Sequence, residues 1–212
     1  MALSQATLKA EILKIIDEED DNFVGWPATR EIACTNWGNA YDSYIWTLGE
    51  PLSNARDVTG DSLISANKAA FIAALVSDLP GEIGNATDAA DAFSKAFEAF
   101  WTGATFVSLP ASAVPVHNAP CANYYTGTVG TYIFAPGSKA ASAVTTIVTA
   151  TIKSNLITEF GILSDDVDAK ANSLANIFHT ATTTNITITI AGVDTTPPTA
   201  GPYPIFNDCF IF

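Results

Sequence analysis

The two histidines of the chain are the first residues to consider for chemistry, and they stand far apart. His117 lies four residues before Cys121, a spacing that two ligands of a zinc site can have. A tetrahedral site needs further ligands, and no second His and Cys pair completes it. His179 follows Phe178 near the end of a predicted helix, where the helix dipole favours positive charge. The sequence therefore predicts no metal site, and we interpret His179 as a structural residue.

One serine precedes a lysine at a spacing used by some serine enzymes. Ser65 and Lys68 match Ser-x-x-Lys, which in a helix places a nucleophile and a base on the same face. No Lys-Thr-Gly or Ser-Asp-Asn element accompanies the pair. Because so short a match recurs by chance, we interpret it as part of a solvated helix face.

Other catalytic patterns are missing from the chain. It has no Gly-x-Ser-x-Gly elbow, no phosphate-binding Gly-x-x-x-x-Gly-Lys loop and no dinucleotide fingerprint. Carboxylate pairs such as Glu31 with Asp42, or Asp91 with Glu98, are not placed across a cleft by the sequence alone. We therefore predict a protein that is not an enzyme and that holds no cofactor.

The three cysteines do not form a recognisable framework. Cys34, Cys121 and Cys209 are odd in number and widely spaced. Disulfide scaffolds and zinc knuckles use closer and paired cysteines. We expect all three to be reduced thiols.

The composition is that of a folded acidic protein. Of its 212 residues, 48% are hydrophobic and 15% are charged, which is enough apolar content for a proper core. Nine basic residues against 22 acidic ones give a net charge of −13, which would repel nucleic acid. The apolar runs end before the roughly 20 residues of a membrane helix, and the amino terminus does not resemble a secretion signal. We expect neither nucleic acid nor a membrane as partner, and synthesis inside the cell.

The clearest periodic signal lies in residues 88–110. Its helical face consists of Ala89, Phe93, Phe97, Phe100 and Trp101. A face this aromatic must be buried. A weaker echo follows in residues 165–190, where the helical face is Ala171, Leu174, Ala175 and Phe178 and residues 185–190 alternate like a strand.

These patterns predict a helix-rich α+β fold, with two helix–helix–strand units around a small sheet. We expect a single domain over residues 1–212, because a unit of about 80 residues with one strand cannot bury both faces of that strand alone. Its parts are N-terminal helices in 1–55, unit one in 61–110, a linker in 111–136, unit two in 137–191 and an extended proline-rich tail in 192–212.

Two helices are expected before unit one. The first covers residues 3–18 and ends near Asp17, because the acidic residues that follow oppose the negative end of the helix dipole. The second is opened by Pro27 and runs to about Leu48. Its expected buried face is Ile32, Trp37, Ala40, Tyr41, Tyr44 and Ile45.

Each unit has its own start and stop signals. In unit one a helix carries Leu63, Ile64, Ala70, Phe71, Ala74 and Leu75 and stops at Pro80-Gly81. Thr87 is expected to cap the aromatic helix and Gly103 to end it before a strand at 104–109. Short strands are expected at 114–116 and 129–134. In unit two, 139–160 reads as a helix with a competing preference for strand, and Ser164 as the cap of the next helix.

The two termini are candidates for docking onto other subunits. Leu8, Ile12 and Ile15 form the apolar face of the first helix. The alternative is that this helix packs on its own domain. The apolar end of the chain carries Ile205, Phe206, Phe210, Ile211 and Phe212. That end must be covered, either by folding back on its own domain or by adding to the sheet edge of a neighbour.

The chain resembles uncharacterised virion structural proteins of tailed bacteriophages. The resemblance rests on residues 92–106 (AFSKAFEAFWTGATF), residues 37–44 (WGNAYDSY) and the proline- and glycine-rich residues 192–204. It implies a multi-copy building block of the capsid, neck or tail. On this basis the expected location is the virion after synthesis in the host cytoplasm, and the expected partners are copies of the chain itself and other virion proteins.

A ligand-binding or adhesive module is the alternative function. In that hypothesis Tyr124, Tyr125 and Tyr132 of the central segment would contact a sugar or a host surface. It requires these tyrosines to be exposed and clustered.

Overall fold

A computed structural model describes residues 3–46, 54–55, 63–79, 85–106, 115–116, 132–133, 143–190 and 206–210. Of residues 115–116, 132–133, 189–190 and 206–210 it describes the backbone. The helices in these ranges are α1 (Gln5–Ile16), α2 (Arg30–Ile45), α3 (Lys68–Asp78), α4 (Ala86–Trp101), α5 (Thr149–Phe160) and α6 (Val167–Thr184). The strands are β1 (Leu63–Ser65), β2 (Thr105–Phe106), β3 (Pro115–Val116), β4 (Tyr132–Ile133), β5 (Ala143–Ile147), β6 (Ile186–Ile190) and β7 (Phe206–Phe210).

The fold is the predicted helix-rich α+β type with one small antiparallel sheet. Strands β1, β2, β5, β6 and β7 pair in that order, each antiparallel to the next. Strands β3 and β4 form a separate antiparallel pair within the expected linker. Both units therefore contribute strands to a single sheet.

Each unit begins with a strand, which the sequence pattern missed in unit one and left open in unit two. Leu63 is fully buried and Ile64 is 52% exposed, which is the alternation of a strand and not of the predicted helix. In unit two the described part of the run, residues 143–160, consists of β5 followed by α5. Its β-branched residues form a strand at the start, and the helical pattern begins after Val148. The repeat is thus strand–helix–helix–strand in both units.

The six helices form a closed arrangement around an aromatic core. Each helix contacts the next one along the chain, and α6 contacts α1. Tyr41 of α2 lies at the centre, where its ring contacts Tyr44, Phe71, Phe97, Phe100 and Phe178. The predicted aromatic face of α4 is buried throughout, from Ala89 to Trp101. The predicted apolar face of α6 is also buried.

Several local predictions need correction. Helix α2 begins at Arg30 with Thr29 as its cap, so Pro27 does not open it. Ile32 was placed on the buried face of α2, but it is 45% exposed, because at about 100° per residue it lies roughly 180° around the helix from the buried Tyr41. Asn85, not Thr87, caps α4, since its Oδ1 accepts a hydrogen bond from the Asp88 backbone N–H at 2.9 Å. Asp166, not Ser164, caps α6 in the same way.

Helix α1 lies within its own domain. Leu8, Ile12 and Ile15 are buried, with no more than 8% of each residue exposed. The helix contacts α2 and α6, and Lys9 forms an ion pair with Asp168 at 2.6 Å. The interpretation of these three residues as a docking face is therefore wrong, and the alternative of packing on the same domain holds. An amphipathic pattern alone does not tell an internal partner from an external one.

Candidate functional site

The residues first considered for chemistry lie in separate places. Ser65 ends β1 and Lys68 begins α3, so they do not share a helix face. The Ser65 hydroxyl is 2.8 Å from the Thr105 hydroxyl, and Lys68 Nζ is 3.2 Å from Asp42 Oδ2. His117 and Cys121 lie outside the described residues. Each residue of the Ser-x-x-Lys match therefore has a structural partner, Ser65 in β2 and Lys68 in α2.

His179 has a structural role, but it does not place a positive charge at a helix end as expected, since α6 continues to Thr184. Its Nδ1 and the Tyr44 hydroxyl are joined by a 2.7 Å hydrogen bond. Partial burial lowers the pKa of His179, which favours the neutral ring as an acceptor, and burial raises the pKa of Tyr44. The pair links α2 to α6.

A second polar group in the core surrounds Tyr41. The Trp101 indole N–H donates to the Tyr41 hydroxyl at 2.8 Å, and that hydroxyl is 2.7 Å from the Thr182 hydroxyl. Thr182 in turn donates to the Phe178 carbonyl at 2.8 Å. Burial raises the pKa of Tyr41, so it stays a neutral hydroxyl at physiological pH. Every member has a partner, as a stable buried network requires.

Glu159, Lys170 and Ser173 form a cluster that sequence reasoning missed. Lys170 Nζ lies 2.9 Å from Glu159 Oε1 and also donates to the Glu159 and Ile162 carbonyls. Ser173 donates to Glu159 Oε2 at 2.5 Å. Burial opposes the charge on Glu159, but the hydrogen bonds from Ser173 and Lys170 prevail and lower its pKa. Lys170 therefore neutralises the carbonyl end of α5, a structural role that the helix dipole explains.

An acidic groove of about 510 Å³ lies between the loop after α1 and the start of α6. Its carboxylates come from Asp17, Glu18, Glu19, Asp165, Asp166 and Asp168. Trp26 also lines it, is 65% exposed and donates through its indole N–H to Glu18 Oε2 at 3.3 Å. Leu163, in the adjoining loop, is 99% exposed. Neither Trp26 nor Leu163 is predicted from the sequence, because single apolar residues in loops carry no periodic signal.

The described residues contain neither a metal-ion cluster nor a membrane-spanning helix. No group of three or more His, Cys, Asp or Glu side chains there is arranged to hold a metal ion. None of the described helices is long and apolar enough to cross a membrane.

The sheet edge at β7 is the best candidate for a functional surface. Phe206 and Phe210, two of the predicted interface residues, lie in β7, which pairs with β6 as the last strand of the sheet. In the register, Thr187 faces Phe210, Ile188 faces Cys209 and Ile190 faces Phe206. Ile205, Ile211 and Phe212 lie outside the described residues. The structure thus places the end of the tail on the sheet of its own chain.

The inner side of this edge is anchored in the core. Ile186 and Ile188 of β6 are fully buried, and β6 contacts α6. Thr187, between them, is half-buried, and its Oγ1 is the buried side-chain oxygen that has no hydrogen-bond partner in the described part of the chain. The β6 strand is therefore firmly held by the domain, and β7 adds to it from outside.

Comparison with family models, with curated proteins and with solved structures gave no match.

Proposed function

We propose that this protein is a multi-copy structural subunit of a bacteriophage virion, in its capsid, neck or tail, and not an enzyme. The proposal starts from the resemblance carried by residues 37–44, 92–106 and 192–204. Its partners are other copies of the chain and other virion proteins.

The observation that carries the proposal is the position of β7. The last described segment of the chain is a strand at the edge of a sheet whose other strands belong to the two units. The outer side of an edge strand presents N–H and C=O groups in a row, which is a template for pairing with another chain. Proteins that stay monomeric protect such edges, whereas assembly proteins use them.

The domain behind this edge suits a building block. The ring of helices packs around a fully satisfied polar network at Tyr41, which favours one rigid arrangement. Two similar units in one subunit also place similar surfaces at two positions, and such heterologous contacts build rings or stacked tubes. The net charge of −13 keeps the free subunit soluble before assembly.

The experiment that tests this function is the mass of the purified chain in solution by light scattering, over a range of concentrations, with electron microscopy of the same sample. A virion subunit is expected to form discrete rings or tubes at several times 22.3 kDa. Mass that stays at 22.3 kDa at every concentration, with no assembly, would contradict the proposal.

A further inference from the structure

We propose that β7 is exchanged between subunits, so that in the assembly it pairs with β6 of a neighbouring copy. This inference rests on the proposed function, since it needs many copies close together. It names the joint between them: the C-terminal strand of one subunit added to the sheet of the next.

The connection between the two strands is far longer than their pairing requires. Antiparallel neighbours lie about 4.8 Å apart and are joined by two to five residues in an ordinary hairpin. Here β6 ends at Ile190 and β7 begins at Phe206, so fifteen residues separate them. A chain of that length can reach about 50 Å at roughly 3.3 Å per residue. It is long enough to carry β7 to a second subunit.

The amino-acid composition of the connection suits an extended spacer better than a tight hairpin. Residues 191–205 include Pro197, Pro198, Pro202 and Pro204. Proline-rich linkers act as semi-rigid spacers, and they reduce the effective concentration of a tethered strand at a site only 5 Å away. The advantage of pairing within one chain is therefore smaller than it is for two strands joined by a tight hairpin.

The contacts themselves are the same in either arrangement. The β6–β7 ladder runs through the pairs Thr187 with Phe210 and Ile188 with Cys209, whichever copy supplies β7. The free energy of pairing is thus equal within a chain and between chains, apart from the linker. When many copies are held side by side, their sheet edges are present at high local concentration, and strand exchange joins them without any new surface.

The electrostatics also favour contact between copies at this place. The subunit has a net charge of −13, which opposes close approach of two copies over most of its surface. The paired strands, ITITI and FNDCF, contain one carboxylate, that of Asp208. Interface cores are typically depleted of charge. The β6–β7 edge is therefore a place where two acidic subunits can meet at low electrostatic cost.

The register supplies a direct test by disulfide trapping. Directly opposed positions of an antiparallel pair have Cα atoms about 4.5–5.5 Å apart, which is within the range of disulfides. The substitution Ile188→Cys places a thiol opposite the natural Cys209. Cys34→Ala and Cys121→Ser remove the other two thiols. The protein is assembled, its mass is measured by light scattering, and it is then oxidised and run on a denaturing gel without reductant.

Exchange predicts covalent species at two or more times 22.3 kDa that return to single chains on reduction. Mixing isotopically labelled and unlabelled chains before assembly should give cross-linked species that contain both. Because Ile188 is buried and its replacement can weaken the fold, a second pair repeats the test. Thr187→Cys is combined with Phe210→Cys in a Cys209→Ser background, and Thr187 is half-buried. The control is Ile64→Cys on the exposed face of β1, which should give no specific cross-link to Cys209.

Each other result overturns the inference. The disulfide could form within single chains in a sample that light scattering shows to be assembled. In that case β7 stays on its own subunit, and the proposed function is not contradicted. The same disulfide in a sample that is monomeric contradicts both proposals. If neither cysteine pair forms a disulfide, β7 does not pair with β6 in this register in any copy.

Discussion

The hydroxyl of Tyr41 joins three helices at the centre of the core. It accepts from Trp101 of α4 and hydrogen-bonds Thr182 of α6, while its own residue belongs to α2. The sequence identifies Tyr41 and Trp101 as buried aromatic residues by their helical spacing. It does not indicate that they touch each other, since helix periodicity gives the buried face but not the partner.

Removing this hydroxyl is expected to destabilise the protein. Tyr41→Phe keeps the ring but leaves the buried Trp101 indole N–H without its acceptor, which costs about 1–3 kcal/mol. Urea unfolding followed by tryptophan fluorescence measures the change. The matched control is Tyr44→Phe, whose partner His179 is partly exposed and can bond to water instead, so its loss should be smaller. Equal stability of Tyr41→Phe and the natural chain would show that the network contributes nothing.

Gly38 of α2 lies directly against Ile72 of α3. A Cβ atom at this position would lie 2.4 Å from Ile72 Cγ1 and 2.9 Å from its Cδ1. Alanine in place of glycine inside a helix ordinarily gains about 1 kcal/mol. Here the overlap is with the Cγ1 and Cδ1 atoms of the Ile72 side chain, which packs against the core, and overpacking of this kind costs about 1–3 kcal/mol.

Gly38→Ala is therefore expected to lower the free energy of unfolding despite its better helix propensity. In an Ile72→Ala background, where the opposing atoms are gone, the same substitution should be neutral or stabilising. Chemical unfolding of the four variants measures this coupling. A stabilising effect of Gly38→Ala in the natural background would mean that α2 and α3 are further apart than described.

Capping residues decide where a helix begins. The sequence offers two candidates before α4, Asn85 and Thr87, and both residue types favour caps. Asn85 prevails because its side chain accepts from the Asp88 backbone and also donates to the Asp88 carboxylate, both at 2.9 Å. This reciprocal pair satisfies more groups than Thr87 can, since Thr87 lies inside the first turn.

The cap assignment predicts a difference between two similar substitutions. Asn85→Ala should cost about 1 kcal/mol, because it removes the acceptor for an orphan N–H of α4. Thr87→Ala, at an exposed position of the first turn, should change stability by less than about 0.5 kcal/mol. Thermal and urea unfolding of both variants measure the difference. The reverse order would restore Thr87 as the cap.

Ion pairs link three consecutive helices on the surface. Lys95 of α4 lies 2.9 Å from both Asp78 of α3 and Asp91 of α4, and Asp91 also pairs with Lys153 of α5. The hydrogen bond from Lys153, followed by that from Lys95, lowers the pKa of Asp91, and Lys95 lowers the pKa of Asp78. Ion pairs between two different helices have no signature in the sequence.

These lowered pKa values predict a loss of stability in acid. A carboxylate whose pKa is lower in the folded state contributes its stabilisation above the unfolded pKa near 4, and loses it as the pH falls through the folded value. Asp91→Asn should thus be less stable than the natural chain at pH 7, and the difference should shrink below about pH 4. Urea unfolding between pH 2.5 and 7 measures this. The exposed Asp21→Asn serves as control, and a difference independent of pH would contradict the role of the Asp91 charge.

The overall architecture was largely predictable, and its connections were not. Long periodic segments such as α4 and α6 were predicted because a buried aromatic or aliphatic face leaves a strong pattern. The leading strands β1 and β5 were missed or left open because a run of three to five residues carries too little pattern to separate strand from helix. The order of strands in the sheet depends on contacts between the two units, which no local pattern records.

The candidate site was predicted in part. The apolar end of the chain was identified as needing cover, and its described part is an edge strand. The first helix was given the same interpretation but packs on α2 and α6. An amphipathic helix packs inside its own domain whenever that domain offers a complementary face. An edge strand, in contrast, always leaves the backbone N–H and C=O groups of one side unpaired.

The measurement that tests the assembly account most directly is the mass in solution, by light scattering, of the full-length chain and of a chain that ends at Ile190. Far-UV circular dichroism of both establishes that the shortened chain keeps its helices. We expect a discrete assembly for the full-length chain and single subunits for the shortened one, since the joint is β7. A full-length chain that remains a monomer, or an assembly of unchanged size without residues 191–212, would contradict it.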